Sequence, residues 1–233
     1  MKQRLNILNT LTEVLFPLCS YYLVNSIVVI LGISYIESKK EVLSLVILGE
    51  TAYTLCSCLV KMLAFLFSGI VAWSFYKKEK KLTTVCKEWE FNLKKSVFLV
   101  VLGAALGLAL NIVWARLPWF QNNEAYEKVA ENQYLYPVWL GILLYGLLSP
   151  WAEEVLFRGV LFLAFERSLG TIGGILMSSL FFGLFHGNLV QAIYGVVMGG
   201  IMAWFYNKFR HLGAPLLFHC AANVTVYLVQ QLF

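Results

Sequence analysis

Apolar residues in this chain fall in long unbroken blocks, without the strict alternation that marks a half-buried strand. The blocks run from Leu11 to Ile33, Val42 to Tyr76, Ser96 to Trp114, Val138 to Arg167, Thr171 to His186, Leu189 to Tyr206 and Ala214 to Phe233. A helix rises about 1.5 Å per residue and a bilayer's hydrocarbon core is about 30 Å thick, so about 20 apolar residues cross it. The pattern predicts an all-α fold, a polytopic membrane bundle of about seven transmembrane helices within a range of six to eight.

Interruptions refine these elements. Lys2 and Arg4 precede the first block, which is longer than a signal-peptide core and lacks a convincing small-x-small cleavage site, so it is expected to stay as a first span. Pro17 lies near its start, where a helix tolerates proline best. The second block is too long for one upright span; Gly49-Glu50 divides it into a short interfacial helix and a span from about Thr51 to Phe75, with Lys61 mid-span as an internally paired lysine. Gly103, Ala104, Ala105 and Gly107 in the third block, and Gly195, Gly199 and Gly200 in the sixth, suit close helix approach.

Composition agrees with the pattern. Charged residues make up 13% of the chain and hydrophobic ones 60%, where a soluble domain carries about 25% charged. One integral membrane domain over residues 1–233 is expected. The net charge of +5 does not point to nucleic acid, because the basic residues cluster at block ends, as topology determinants do. Residues 77–95 hold seven lysines against three glutamates and read as cytoplasmic; Arg167 and residues 208–210 fall on the same side. Residues 116–137, with Trp119, Tyr126, Tyr134, Tyr136 and the following Trp139 as interface anchors, fall opposite, giving an N-in, C-out topology. Cys19, Cys56, Cys58, Cys86 and Cys220 show no redox or zinc spacing and read as packing residues.

The candidate chemistry sits in the block from Val138, where Ser149-Pro150 is followed by Glu153, Glu154 and Arg158. Each ionisable group at that depth costs roughly 2.5–3.5 kcal/mol on insertion scales, so such groups face a protein interior or wet cavity and pair. Glu154 and Arg158 are one helical turn apart and can pair, leaving Glu153 free to act as a general base. The same spacing also fits an ion pair that only fixes packing. His186 closes the short fifth block with Phe182 one turn before it, and His219 shares a helix face with Asn223. His211 lies in a basic turn and reads as a solvated interface residue.

Taken in order, E-E-x-x-x-R (Glu153, Glu154, Arg158), F-x-x-x-H (Phe182, His186) and H-x-x-x-N (His219, Asn223) resemble the CPBP family, the CaaX prenyl endopeptidases and bacterial bacteriocin-processing and abortive-infection-like membrane proteases. The resemblance covers about residues 138–225, the expected catalytic core. It implies an intramembrane endopeptidase in which Glu153 and His186 activate water. His219 and Asn223 would stabilise the oxyanion, Glu154 and Arg158 would set the geometry and protonation of Glu153, and Phe182 would support the site. Glu153, His186 and His219 also have the ligand types of a His2Glu zinc site, but no H-E-x-x-H is present; a metal-free glutamate mechanism is favoured and zinc is the alternative. The implied substrate is a membrane-associated peptide or protein, either a peptide precursor or a CaaX-like protein. The compact size looks bacterial and favours the precursor, placing the chain in a bacterial cell membrane. A non-enzymatic immunity or scaffold protein, or a proton-coupled transporter, would use the same polar residues.

Overall fold

The computed structural model describes residues 7–39, 49–83, 92–117 and 123–232. Lys2, Arg4, Lys40, the interfacial helix expected from Val42, Cys86 with most of the basic connection, and Trp119 lie outside them. Within the described residues the chain is helical: α1 (Ile7–Ser38), α2 (Gly49–Leu82), α3 (Leu93–Ala115), α4 (Glu124–Tyr134), α5 (Val138–Leu184), α6 (Leu189–Phe209) and α7 (Gly213–Leu232). Five of these, α1, α2, α3, α5 and α6, contain stretches long and apolar enough to cross a membrane. The 47-residue α5 is divided at Gly170, whose φ of 76° leaves the helical region at a point where glycine lacks the Cβ that would clash. Its two legs, with α1, α2, α3, α6 and α7, supply the seven segments expected. The chain is an integral, multi-pass membrane protein.

Side-chain caps set several helix starts. Asn92 accepts from the backbone N–H of Lys94 and Lys95, Asn123 from Tyr126, and Asn188 from Gln191, each satisfying donors that a helix start leaves unpaired. Several boundaries differ from expectation. Residues 116–137 are not plain connection: Asn123 opens the amphipathic α4, with Glu124 and Glu127 in its first turn, where carboxylates complement the helix dipole. α1 begins at Ile7, so Pro17 falls inside it. α2 continues through Lys81 because Glu79, only 3% exposed, turns inward and pairs with Arg167. Lys61 lies over the ring of Tyr136 at 5.1 Å, an aromatic partner for the internally paired lysine expected there.

The helices surround the first leg of α5. α1 lies along α2, α3 along α7, and α6 along the second leg of α5. Every residue from Ala152 to Phe165 is buried, the mark of a helix enclosed on all sides. On the outside, large apolar side chains such as Phe16, Leu23, Leu31 and Ile172 are exposed, as lipid contact requires. Gly103 and Gly107 lie on the buried face of α3, against Phe218 and Ala222 of α7.

One end of the bundle is basic and internally braced. Arg167 donates to Glu13 of α1 at 2.6 Å and to Glu79 of α2, and Arg210 forms two bonds to Glu166 at 2.6 and 2.7 Å. Arg210 also closes α6 in the left-handed conformation, φ 53°. His211 is largely exposed, as expected; its Nδ1 accepts from Gly213 N–H at 3.0 Å, and partial desolvation of the ring, then the nearby Lys80, hold its pKa below the ordinary value.

Candidate active site

Glu153 and Glu154 leave α5 in different directions, as adjacent helical residues must. Glu154 is 1% exposed and its Oε1 accepts from Arg158 Nη1 at 2.9 Å and from His219 Nδ1 at 2.8 Å. Arg158 is a pure donor, so this oxygen is the acceptor and His219 carries a proton on Nδ1. Glu154, expected to act on Glu153, has His219 as its hydrogen-bonded neighbour on the cavity side. Arg158, wholly buried, also donates from Nη2 to the Gly199 carbonyl at 3.1 Å and lies 4.5 Å over the Phe182 ring. A Cβ at Gly199 would stand 3.1 Å from Phe182 Cδ1, so only glycine lets α6 bring its carbonyl to the guanidinium without displacing a neighbour.

Glu153 faces a cavity of about 270 Å³. Its Oε1 accepts the Ser149 hydroxyl, and its Oε2 lies 3.9 Å from His219 Nε2. His186 and Asn223 line the same cavity. His186 Nδ1 donates to the Phe182 carbonyl at 2.9 Å, since a carbonyl only accepts, which leaves Nε2 with its lone pair. The Phe182 ring meets both imidazoles edge-on, at 5.1 Å to His186 and 5.6 Å to His219. Glu153, His186, His219 and Asn223 are thus brought to one cavity from α5, the turn after α5, and α7, with Glu154, Arg158 and Phe182 packed behind them.

Two local departures from α-helical geometry hold this arrangement. The first leg of α5 has π-helical stretches at Ile142–Leu148 and Val155–Phe162 on either side of the α-helical Ser149–Glu154; such stretches are frequent at functional sites. In the first, the Ser149 N–H bonds to the Leu144 carbonyl, five residues back. The Tyr145 carbonyl would next need the N–H of residue 150, and Pro150 has none. Asn223 Nδ2 takes that place, donating to Tyr145 O at 3.0 Å. A gap in one helix therefore orients the amide of another. The second departure is the turn at 185–188, where free backbone groups at membrane depth need partners. Tyr22 donates to the Phe185 carbonyl at 3.1 Å, and Asn188 Nδ2 donates to the His186 carbonyl at 3.3 Å.

Sequence reasoning did not single out Ser149, Tyr145 or Gln191 as site residues. Ser149 stands four residues before Glu153, so helical spacing could have paired them. Tyr145 takes part through its carbonyl, which no residue type reveals. Cys220 is partly buried beside His219 and is absent from the cavity wall, in keeping with packing. Glu153, His186 and His219 have zinc-ligand chemistry, and both rings have Nδ1 tied back as metal-bound histidines do. Yet among the described residues no three His, Cys, Asp or Glu side chains converge as a metal-holding group. The arrangement does not fit zinc as it stands.

A helical membrane bundle that gathers two carboxylates, two imidazoles and an amide, buried or partly buried, defines a polytopic membrane protein with an intramembrane polar site. Residues 135–225 match the family model described as type II CAAX prenyl endopeptidase Rce1-like. The chain is also similar to "Putative membrane peptidase YdiL" of Bacillus subtilis (strain 168), 28% identical over 91 residues. That match covers 39% of this chain and 37% of the relative's length. No solved structure matches the chain. The resemblance to the CPBP family read from the three motifs holds over this segment, which carries the whole polar cluster.

Proposed function

We propose that the chain is an intramembrane endopeptidase that hydrolyses a membrane-associated peptide or protein without a metal. The observation that carries this reading is the convergence of Glu153, His186, His219 and Asn223 on one cavity. A water between Glu153 Oε2 and His186 Nε2 gives its proton to Glu153 as its oxygen bonds to the scissile carbonyl carbon. The carbonyl oxygen becomes an oxyanion. His219, as an imidazolium with Nδ1–H held by Glu154, offers Nε2–H to it, and Asn223 offers its second amide hydrogen. Donors fixed in advance where charge develops stabilise the transition state over the ground state. The carbon–nitrogen bond then breaks, and Glu153 passes its proton to the leaving amine.

Ser149 steadies Glu153 by occupying Oε1, so Oε2 is the oxygen presented to water. Arg158 compensates the charge of Glu154, which would otherwise be costly at this depth. The membrane peptides of cells making the wild-type chain and cells making Glu153→Gln, compared by mass spectrometry, test the reading. Specific fragments present only with the wild type are expected; identical peptide sets at equal protein levels would sink it.

A further inference from the structure

The bundle has two chemically distinct ends, and the cavity belongs to one of them. The lysines of residues 77–81 and 94–95, with Arg167, Lys208 and Arg210, gather where α2 and α6 end, α3 starts and α5 kinks. The bonds from Arg167 to α1 and α2 place these termini together, as does Arg210 on Glu166. The opposite end carries fewer basic residues, Lys39, Arg116 and Lys128 among the described ones, with the acidic first turn of α4. Lys and Arg near span ends fix orientation, with the richer side cytoplasmic, and carboxylates contribute little to the rule. The braced basic end therefore faces the cytoplasm, even though several of its cations are paired.

The cavity wall runs from mid-membrane toward the other end. Beyond Glu153 and His219 it is formed by Gln191 and Tyr194 near the start of α6, Tyr227 in the last turns of α7, and Gln133 of α4. α4 lies between the end of α3 and the start of α5, outside the apolar spans, and Gln231 Nε2 joins α7 to the Tyr134 carbonyl at its end, 2.8 Å. The second leg of α5 ends at Leu184, only about 21 Å from its kink at 1.5 Å per residue. It stops short of a full crossing, so His186 in the turn after it lines the cavity at membrane depth. None of the basic-end residues named above lines the cavity.

We infer that the site takes its substrate from the non-cytoplasmic face: an extended segment of an exported or membrane-anchored peptide, not a protein held in the cytosol. This rests on the hydrolase reading for the word substrate, and on geometry alone for the direction of access. The test uses the full chain with its five cysteines replaced by alanine, carrying Glu131→Cys on α4, Gln133→Cys in the cavity wall or Lys78→Cys at the basic end. Sealed right-side-out and inverted membrane vesicles are treated with a membrane-impermeant maleimide. Glu131→Cys and Gln133→Cys should label at least tenfold faster in right-side-out vesicles, and Lys78→Cys at least tenfold faster in inverted ones. The reverse pattern, or Gln133→Cys labelling from the Lys78 side, overturns the inference. An alkaline phosphatase fusion after Phe233, active only outside, reads the same orientation without the cysteine replacements. In a separate arm, a fragment-yielding peptide found by mass spectrometry is added to both vesicle types and to detergent-solubilised protein. Cleavage by right-side-out but not intact inverted vesicles supports the inference, and the opposite overturns it. Absence of cleavage in all three samples counts against the hydrolase reading alone, while labelling still decides the direction of access.

Discussion

His219 and Glu154 meet at 2.8 Å across the α7–α5 interface, and the same carboxylate oxygen accepts Arg158. One oxygen thus ties a histidine that faces the cavity to a cation that never reaches it. Arg158→Ala would leave Glu154 buried with much of its compensation gone, and breaking a buried pair in this way costs about 3–5 kcal/mol. Thermal unfolding in detergent should show a clear loss, with Arg158→Lys intermediate because an ammonium cannot reach Glu154 and the Gly199 carbonyl as a planar fork does. An unchanged midpoint for Arg158→Ala would remove it from the support of the site.

Asn223 is held by a carbonyl that Pro150 leaves without a helical donor. Asn223→Ala should lower kcat by about 10²–10³, the range for one lost oxyanion donor, with little effect on protein level. Pro150→Ala restores a backbone N–H that competes for the Tyr145 carbonyl, so it should lower kcat while folding is kept. In the Asn223→Ala background the Pro150 change should add nothing, because coupled sites are not additive. Two independent, additive losses would show that Pro150 does not act through Asn223.

Ser149 donates to Oε1 of Glu153, leaving Oε2 as the oxygen nearer His219 Nε2. A hydrogen bond to a charged group is worth about 1.5–3 kcal/mol, roughly ten- to a hundredfold in rate if it fixes the reactive rotamer. Ser149→Ala should reduce kcat by that order with KM little changed, and Ser149→Thr should recover most of it. Equal activity in all three proteins would mean the hydroxyl positions nothing.

Metal dependence has its own measurement. Purified active protein should contain well under one equivalent of zinc, and chelator treatment should leave its cleavage rate within a factor of two. One equivalent of tightly held zinc, lost with activity and restored with it, would reassign Glu153, His186 and His219 from water activation to ligation.

The sequence made the i, i+4 relations legible. Glu154 with Arg158 lies within a single helix and needs only the helical repeat to be seen. The bundle of seven segments was legible too, because apolar length against bilayer thickness is a one-dimensional argument. Ser149 with Glu153 has the same spacing, but a helical serine hydroxyl bonds its own backbone as readily, so spacing alone does not assign it. The partnership of His219 with Glu154 depends on how α7 crosses α5, which no local pattern carries. The Tyr145 carbonyl was hidden for a different reason: π-helical register shifts backbone pairing without changing any side-chain type. α4 was missed because its polarity resembles connection, although Asn123 followed by two glutamates is a capping signal.

The enclosure of α5 from Ala152 to Phe165 divides stable parts from adaptable ones. α1, α2, α6 and α7 all pack on that axis, so Glu153, Glu154 and Arg158 sit on a segment whose shift would repack much of the interior. The cavity rim is built from α4, the 185–188 turn and the last turns of α7, each attached on fewer sides. Diversification of what such a scaffold recognises would therefore be expected to accumulate at the rim, while the axis tolerates almost no change.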